Sequence, residues 1–209
     1  MLNERILNHI TKKHIMRKIK PILCLLLILL IAIPFVAPDA GVPVIFITLP
    51  LMSVDLIPII LIESFVLRHY IKFNFKKIVF PVGIANAATV IIGYPLSWGL
   101  LLVIELITTG GGCGPGFDTI GKSILTVLLE SAWLCPWEDQ LYWTLPIAII
   151  IGLVVAFFIS VYVEYFIIKR FFKKEKQKMK KAVWVANIIS YTILILFSLI
   201  YLIVGLINQ

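Results

Sequence analysis

The chain has 209 residues, of which 61% are hydrophobic and 14% charged, with a mean hydropathy of +1.04. That composition excludes an ordinary soluble globular domain and places most of the chain in lipid. A net charge of +8 could suit nucleic acid, but all the basic residues except Lys122 lie in short segments flanking apolar runs, which fits membrane topology and argues against a nucleic-acid partner.

Residues 1–20 form a basic leader with Arg5, Lys12, Lys13, Arg17, Lys18 and Lys20. The apolar run Pro21 to Ala37 follows and supports two readings. Its basic flank, its core from Ile22 to Ile33 and the small residues Ala37 and Ala40 suit a signal peptide. Pro38 is unfavourable for cleavage at either alanine, and the run is just long enough to stay as a first transmembrane helix.

Four further apolar runs are each long enough to span: Val42 to Leu67, Ile78 to Ile107, Thr144 to Ile168 and Ala182 to Ile207. The first two make a hairpin over 42–107, turned by Arg68, Lys72, Lys76 and Lys77. The last two make a second hairpin over 144–207, turned by a basic stretch from Lys169 to Lys181. With Met1 inside, every basic cluster is cytoplasmic, whereas the 108–143 connection and the C-terminus are extracytoplasmic. Trp133, Trp137, Tyr142 and Trp143 form an interfacial aromatic belt beside the outer end of the fourth run.

At a fixed offset of 101 residues the two hairpins align without gaps, and intramembrane polar positions coincide. Glu63 meets Glu164, Asn86 meets Asn187, Thr89 meets Ser190 and Ser97 meets Ser198. Leu and Ile coincidences are cheap in such a composition, but Glu and Asn coincidences are not, so an internal duplication is expected. Each Glu lies five residues before the first basic residue of its turn, at a depth similar to that of its Asn. A Glu to Asn hydrogen bond across each hairpin is feasible, worth about 0.6–2 kcal/mol.

Five polar intramembrane residues are therefore candidates: Asp55, Glu63, Asn86, Glu164 and Asn187. In one reading each Glu snorkels toward, or pairs with, a neighbouring Arg or Lys and each Asn fastens two helices. In the other, Glu63, Asn86, Glu164 and Asn187 line one central site for an ion, a proton or a small solute. Asp55 lies near the bilayer midplane between Pro50 and Pro58. Its charge there costs at least ~2.5–3.5 kcal/mol unless protonated or partnered, and its partner at the repeat offset is Ala156. Glu105 is placed at the outer interface. The Asn86, Thr89, Gly93, Ser97 stripe and the Asn187, Ser190, Ser198, Gly205 stripe read as close-packing surfaces.

The 108–143 connection opens with a glycine-rich irregular stretch from Thr108 to Gly116. Asp118 or Thr119 then caps an amphipathic helix with Lys122, Thr126 and Glu130 on one face, suited to the outer membrane surface. Cys113 and Cys135 are a disulfide candidate, contributing about 3 kcal/mol if that compartment is oxidising; the alternative is two separate thiols.

No HExxH, GxSxG or phosphate-binding glycine loop is present, and His9, His14 and His69 have no ligand at metal spacing. No enzymatic activity, catalytic residue, metal or cofactor is expected. The segments Asp39-Ala-Gly-Val-Pro43, Ile57-Pro-Ile-Ile-Leu-Ile-Glu63, the repeated Ala-Asn and Trp143-Thr-Leu-Pro-Ile-Ala148 together resemble an uncharacterised family of bacterial multi-pass membrane proteins. The resemblance covers most of residues 39–200 and implies a shared membrane fold without an activity.

The expected fold is an all-α membrane protein, a bundle of five transmembrane helices, or four if the first is a cleaved signal peptide, built on a duplicated hairpin with one extracytoplasmic amphipathic helix. The expected location is the cell membrane. The expected function is a non-enzymatic structural or accessory role in a membrane assembly, with the lipid bilayer and membrane-protein partners or further copies of the chain as neighbours. A small-solute or ion-coupled transporter is the second expectation.

Overall fold

The computed structural model describes residues 41–172 and 176–208. The basic leader, the run 21–37 with its choice between signal peptide and first span, and Cys24, His9 and His14 lie outside the described residues. The described chain is an all-α membrane bundle, with four helices long and apolar enough to cross a membrane.

Helix α1 (Val44–Ile71) keeps its course through Pro50 and Pro58 as one element. Nearby, the hydroxyls of Thr48 and Ser53 donate to the carbonyls four residues back, at 2.8 and 2.9 Å. It ends at Lys72 in the left-handed conformation, φ 52°, whose N–H donates to the Arg68 carbonyl at 3.1 Å. After two more residues Asn74 caps the next helix, accepting from the Lys76 N–H at 3.2 Å. That helix, α2 (Phe75–Thr109), widens to a π turn over Thr89–Gly93, where the Tyr94 N–H donates to the Thr89 carbonyl. Pro95 follows directly and has no N–H to continue the regular ladder, which gives the wide turn its local cause.

Beyond the connection, α3 (Ile120–Leu129), α4 (Leu141–Phe171) and α5 (Lys176–Ile207) complete the chain. At the basic end the helices overrun the predicted apolar runs. Arg68 and His69 complete the last turn of α1, as Lys169 and Arg170 do in α4. Cations are favoured at helix C-termini and Lys is a good helix former, so the apolar boundary does not stop the helix.

The two turns lie at one end of the bundle, where the Phe73 and Phe172 rings are 5.0 Å apart. Just inside, a buried core joins the hairpins through Leu67 and Ile168, Ile78 and Met179, Val82 and Val183, and Ala85 and Ala186. Both members of each pair are in the same core, 101 residues apart. The small Ala85 and Ala186 let the helices approach closely.

The opposite end has three features, of which the first and the third depart from expectation. First, Val42 and Pro43 are not helical: they form a short strand, β1, that pairs antiparallel with β2 (Trp133–Leu134), Val42 opposite Leu134 and Pro43 opposite Trp133. Pro43 cannot donate, so the Val44 N–H makes the next bond, to the Ala132 carbonyl at 3.0 Å. Gly41 has φ 78°, and a Cβ there would lie 1.7 Å from the Leu134 carbonyl oxygen, so only glycine brings the strands together.

Second, the connection is tied down throughout. Cys113 and Cys135 form a disulfide with their Cα atoms 5.8 Å apart. The expected cap of α3 is Thr119, which accepts from the Lys122 N–H at 3.3 Å, while Asp118 pairs with the Lys122 ammonium at 2.9 Å. Third, the polar face of α3 turns inward beyond Lys122, which itself stays exposed. Thr126 and Glu130 are buried, whereas Ile120 is 82% exposed and Ile124 and Leu128 are exposed beside it. An outward apolar face is what a helix lying in a lipid interface needs.

Candidate functional site

Four of the five intramembrane candidates come together between the two hairpins. α1 supplies Glu63, α2 Asn86, α4 Glu164 and α5 Asn187, none more than 5% exposed. Asn86 donates to Glu63 Oε2 at 2.6 Å, and Asn187 donates to Glu164 Oε2 at 2.7 Å, each across 23 residues of sequence. Each Asn Nδ2 also donates to the carbonyl four residues back, Val82 or Val183, both at 3.1 Å. That second bond orients the amide toward its carboxyl group.

The remaining carboxyl oxygens reach the opposite hairpin. Ser190 on α5 donates to Glu63 Oε1 at 2.8 Å, and Thr89 on α2 stands 3.4 Å from Glu164 Oε1. Thr89 and Ser190 therefore hold the site as well as the helix packing to which their stripes assigned them. The signal for them was their coincidence at the 101-residue offset. Thr89 is also the first residue of the π turn, which links the irregularity in α2 to the cluster.

Asn187 Oδ1 and Ser64 Oγ are buried without a hydrogen-bond partner.

The expectation that each Glu pairs with an adjacent base is overturned. Among the described residues the one ion pair is Lys122 with Asp118. Lys169 instead lies 4.8 Å from the centre of the Phe166 ring and 5.0 Å from that of Tyr165, and Arg170 lies 4.3 Å from Phe166. These cations stay over aromatic faces on their own helix, close to the end of the span. The six-residue cluster is an interlocked polar clasp in the buried interior.

Two further glutamates anchor the disulfide end. Glu105 lies at that end of α2 as expected, but it is buried, and its Oε2 accepts from the Trp133 N–H at 3.1 Å. Glu130 Oε1 accepts from the Gly114 N–H at 2.6 Å and from the Trp137 indole at 3.4 Å, and its Oε2 accepts from the Cys135 N–H at 3.3 Å. A Cβ on Gly114 would meet the Thr126 Cα at 2.9 Å, so glycine is needed for that approach. The sequence places Glu130 on the same face as Lys122 and Thr126, but nothing local marks which face of a short helix turns inward.

Asp55 stands apart from the clasp, half-buried on α1, with no hydrogen bond or ion pair among the described residues. For metal binding, the described residues bring Cys113, Glu130 and Cys135 within 4.8 Å of one another, but the disulfide occupies both sulfurs. The stripe glycines take packing roles: a Cβ on Gly205 would lie 2.7 Å from the Tyr142 carbonyl oxygen, and one on Gly93 would press on Thr89 at 3.3 Å.

No protein-family model, curated protein or solved structure matches the chain.

Proposed function

We propose that this protein is a non-enzymatic, multi-pass integral membrane protein that serves as a structural or accessory component of a membrane assembly. The observation that carries the reading is the closed clasp. Its carboxyl and amide groups face one another rather than water, and each hairpin supplies an acceptor to the other. Such an arrangement locks two hairpins into one rigid unit, and a conducting path needs the same groups to be reachable from water.

The two hairpins are copies of one unit on this reading. Glu63 with Asn86 and Glu164 with Asn187 make the same bond, and the constant offset extends to the core pairs and the hydroxyl donors. The basic turns are cytoplasmic, and the disulfide end, with α3 on the membrane surface, is extracytoplasmic. A disulfide persists in an oxidising compartment, which supports that orientation. Lipid, other membrane proteins or further copies of the chain are the partners of such a unit.

Purified protein in liposomes tests the function. With Glu63→Gln and Glu164→Gln beside the natural chain, the scaffold reading expects ion and proton flux no higher than in empty liposomes, and a changed melting temperature. Flux that depends on Glu63 would sink it and establish the transporter reading.

A further inference from the structure

A groove of about 480 Å³ runs between α1, α4 and α5, away from the clasp. Its walls are largely apolar, with Leu51, Leu145 and Ile149 among them, and Asp55 is the one carboxylate that lines it. Phe197 and Tyr201, one turn apart on α5, line the same groove and are 65% and 57% exposed, so it opens at their side.

The Asp55 carboxyl has no hydrogen-bond or ion-pair partner among the described residues. The Thr48 hydroxyl in the groove wall already bonds Tyr94 and the Val44 carbonyl, and the Ser198 hydroxyl donates to the Leu194 carbonyl. A bare metal ion would find one carboxylate and too few free oxygens for its coordination shell. An anion would be repelled, and a neutral chain would fill the groove while leaving the carboxylate uncompensated. A cation with an apolar body meets both demands, and the Phe197 and Tyr201 rings add faces that attract organic cations.

We infer that the Asp55 groove is a binding site for a lipophilic organic cation, such as a quaternary phosphonium or ammonium or a protonated amine with a bulky apolar body. The site is separate from the clasp, and the inference stands without the scaffold reading.

Equilibrium dialysis of the full chain in detergent against tetraphenylphosphonium tests it, with neutral triphenylphosphine oxide as the uncharged control. The expected result is saturable binding of the phosphonium and at least tenfold weaker binding of the oxide. Asp55→Asn weakens phosphonium binding tenfold or more, Asp55→Glu retains it, and Tyr201→Leu weakens it about two- to fivefold. Asp118→Asn, which removes an exposed carboxylate elsewhere, leaves it unchanged. Should Asp55→Asn fail to fold, the Tyr201→Leu result and the phosphonium-to-oxide ratio decide. Absence of saturable binding, equal affinity for the oxide, or a folded Asp55→Asn variant that binds like the natural chain overturns the inference.

Discussion

Glu63 and Glu164 lie in one buried cluster inside the bundle, each held by the asparagine of its own hairpin and approached by a hydroxyl from the other. The same residue types, 101 positions apart, thus do two jobs. The asparagines close the hairpins, and Ser190 and Thr89 join them.

The intra-hairpin bonds should contribute comparably in the two halves. Asn86→Leu and Asn187→Leu are each expected to lower stability by about 0.6–2 kcal/mol. Thermal melting in detergent measures both, and a double-mutant cycle of Asn86→Leu with Glu63→Gln should return a coupling of similar size. A loss confined to one half would contradict the equivalence of the hairpins.

The inter-hairpin bonds should not be equal. Ser190 donates at 2.8 Å, whereas the Thr89 contact at 3.4 Å is near the limit of a hydrogen bond. Ser190→Ala is expected to cost about 1 kcal/mol, and Thr89→Val a few tenths, because valine keeps the packing volume. The same melting series checks the order of the two.

At the far end, the disulfide spans 22 residues of sequence, and its loss is expected to cost about 3 kcal/mol in the loop-entropy account. In a Cys24→Ser background the unfolded chain should take up no maleimide until a reductant is added, and two equivalents afterwards. Glu130→Gln should lower stability as well, since an amide cannot accept from Gly114, Cys135 and Trp137 as a carboxylate does. Labelling of unreduced protein would show that the bond is absent.

One group outside the spans carries a pH expectation. Asp118 is held below its ordinary value of 3.8 by the hydrogen bond from Lys122 and by that residue's charge. A depressed carboxyl stabilises the folded state above the unfolded-state value and loses that contribution as pH falls through the folded-state value. The effect therefore lies below about pH 3.8 and leaves stability between pH 5 and 8 untouched. An NMR titration should find the Asp118 midpoint below that of a free aspartate, and Lys122→Met should move it back.

Several features of the clasp were legible before the fold was known. Glu63 and Asn86 were recognisable as a hairpin pair because both depth and offset are sequence quantities. The assignment failed where it relied on the nearest charge: Arg68 and Lys169 are close in sequence, but a helix carries them toward the membrane boundary, away from the buried carboxyl groups. At the other end, Pro43 looked like part of a span, and only its register against Trp133 shows otherwise.

The four described spans and the basic turns were legible in the sequence alone, and the cap was narrowed to Asp118 or Thr119, because the cost of placing backbone or charge in lipid, like a capping bond, is set locally along the chain. The tertiary structure decided which groups face each other across long separations. Ser190 reaches Glu63 over 127 residues, Glu130 turns under Gly114, and Asp55 is left alone in its groove. Those outcomes depend on the rotation of each helix about its own axis. Where nearly every face is apolar, the sequence pattern scarcely constrains that rotation, and packing of a few small and polar side chains sets it.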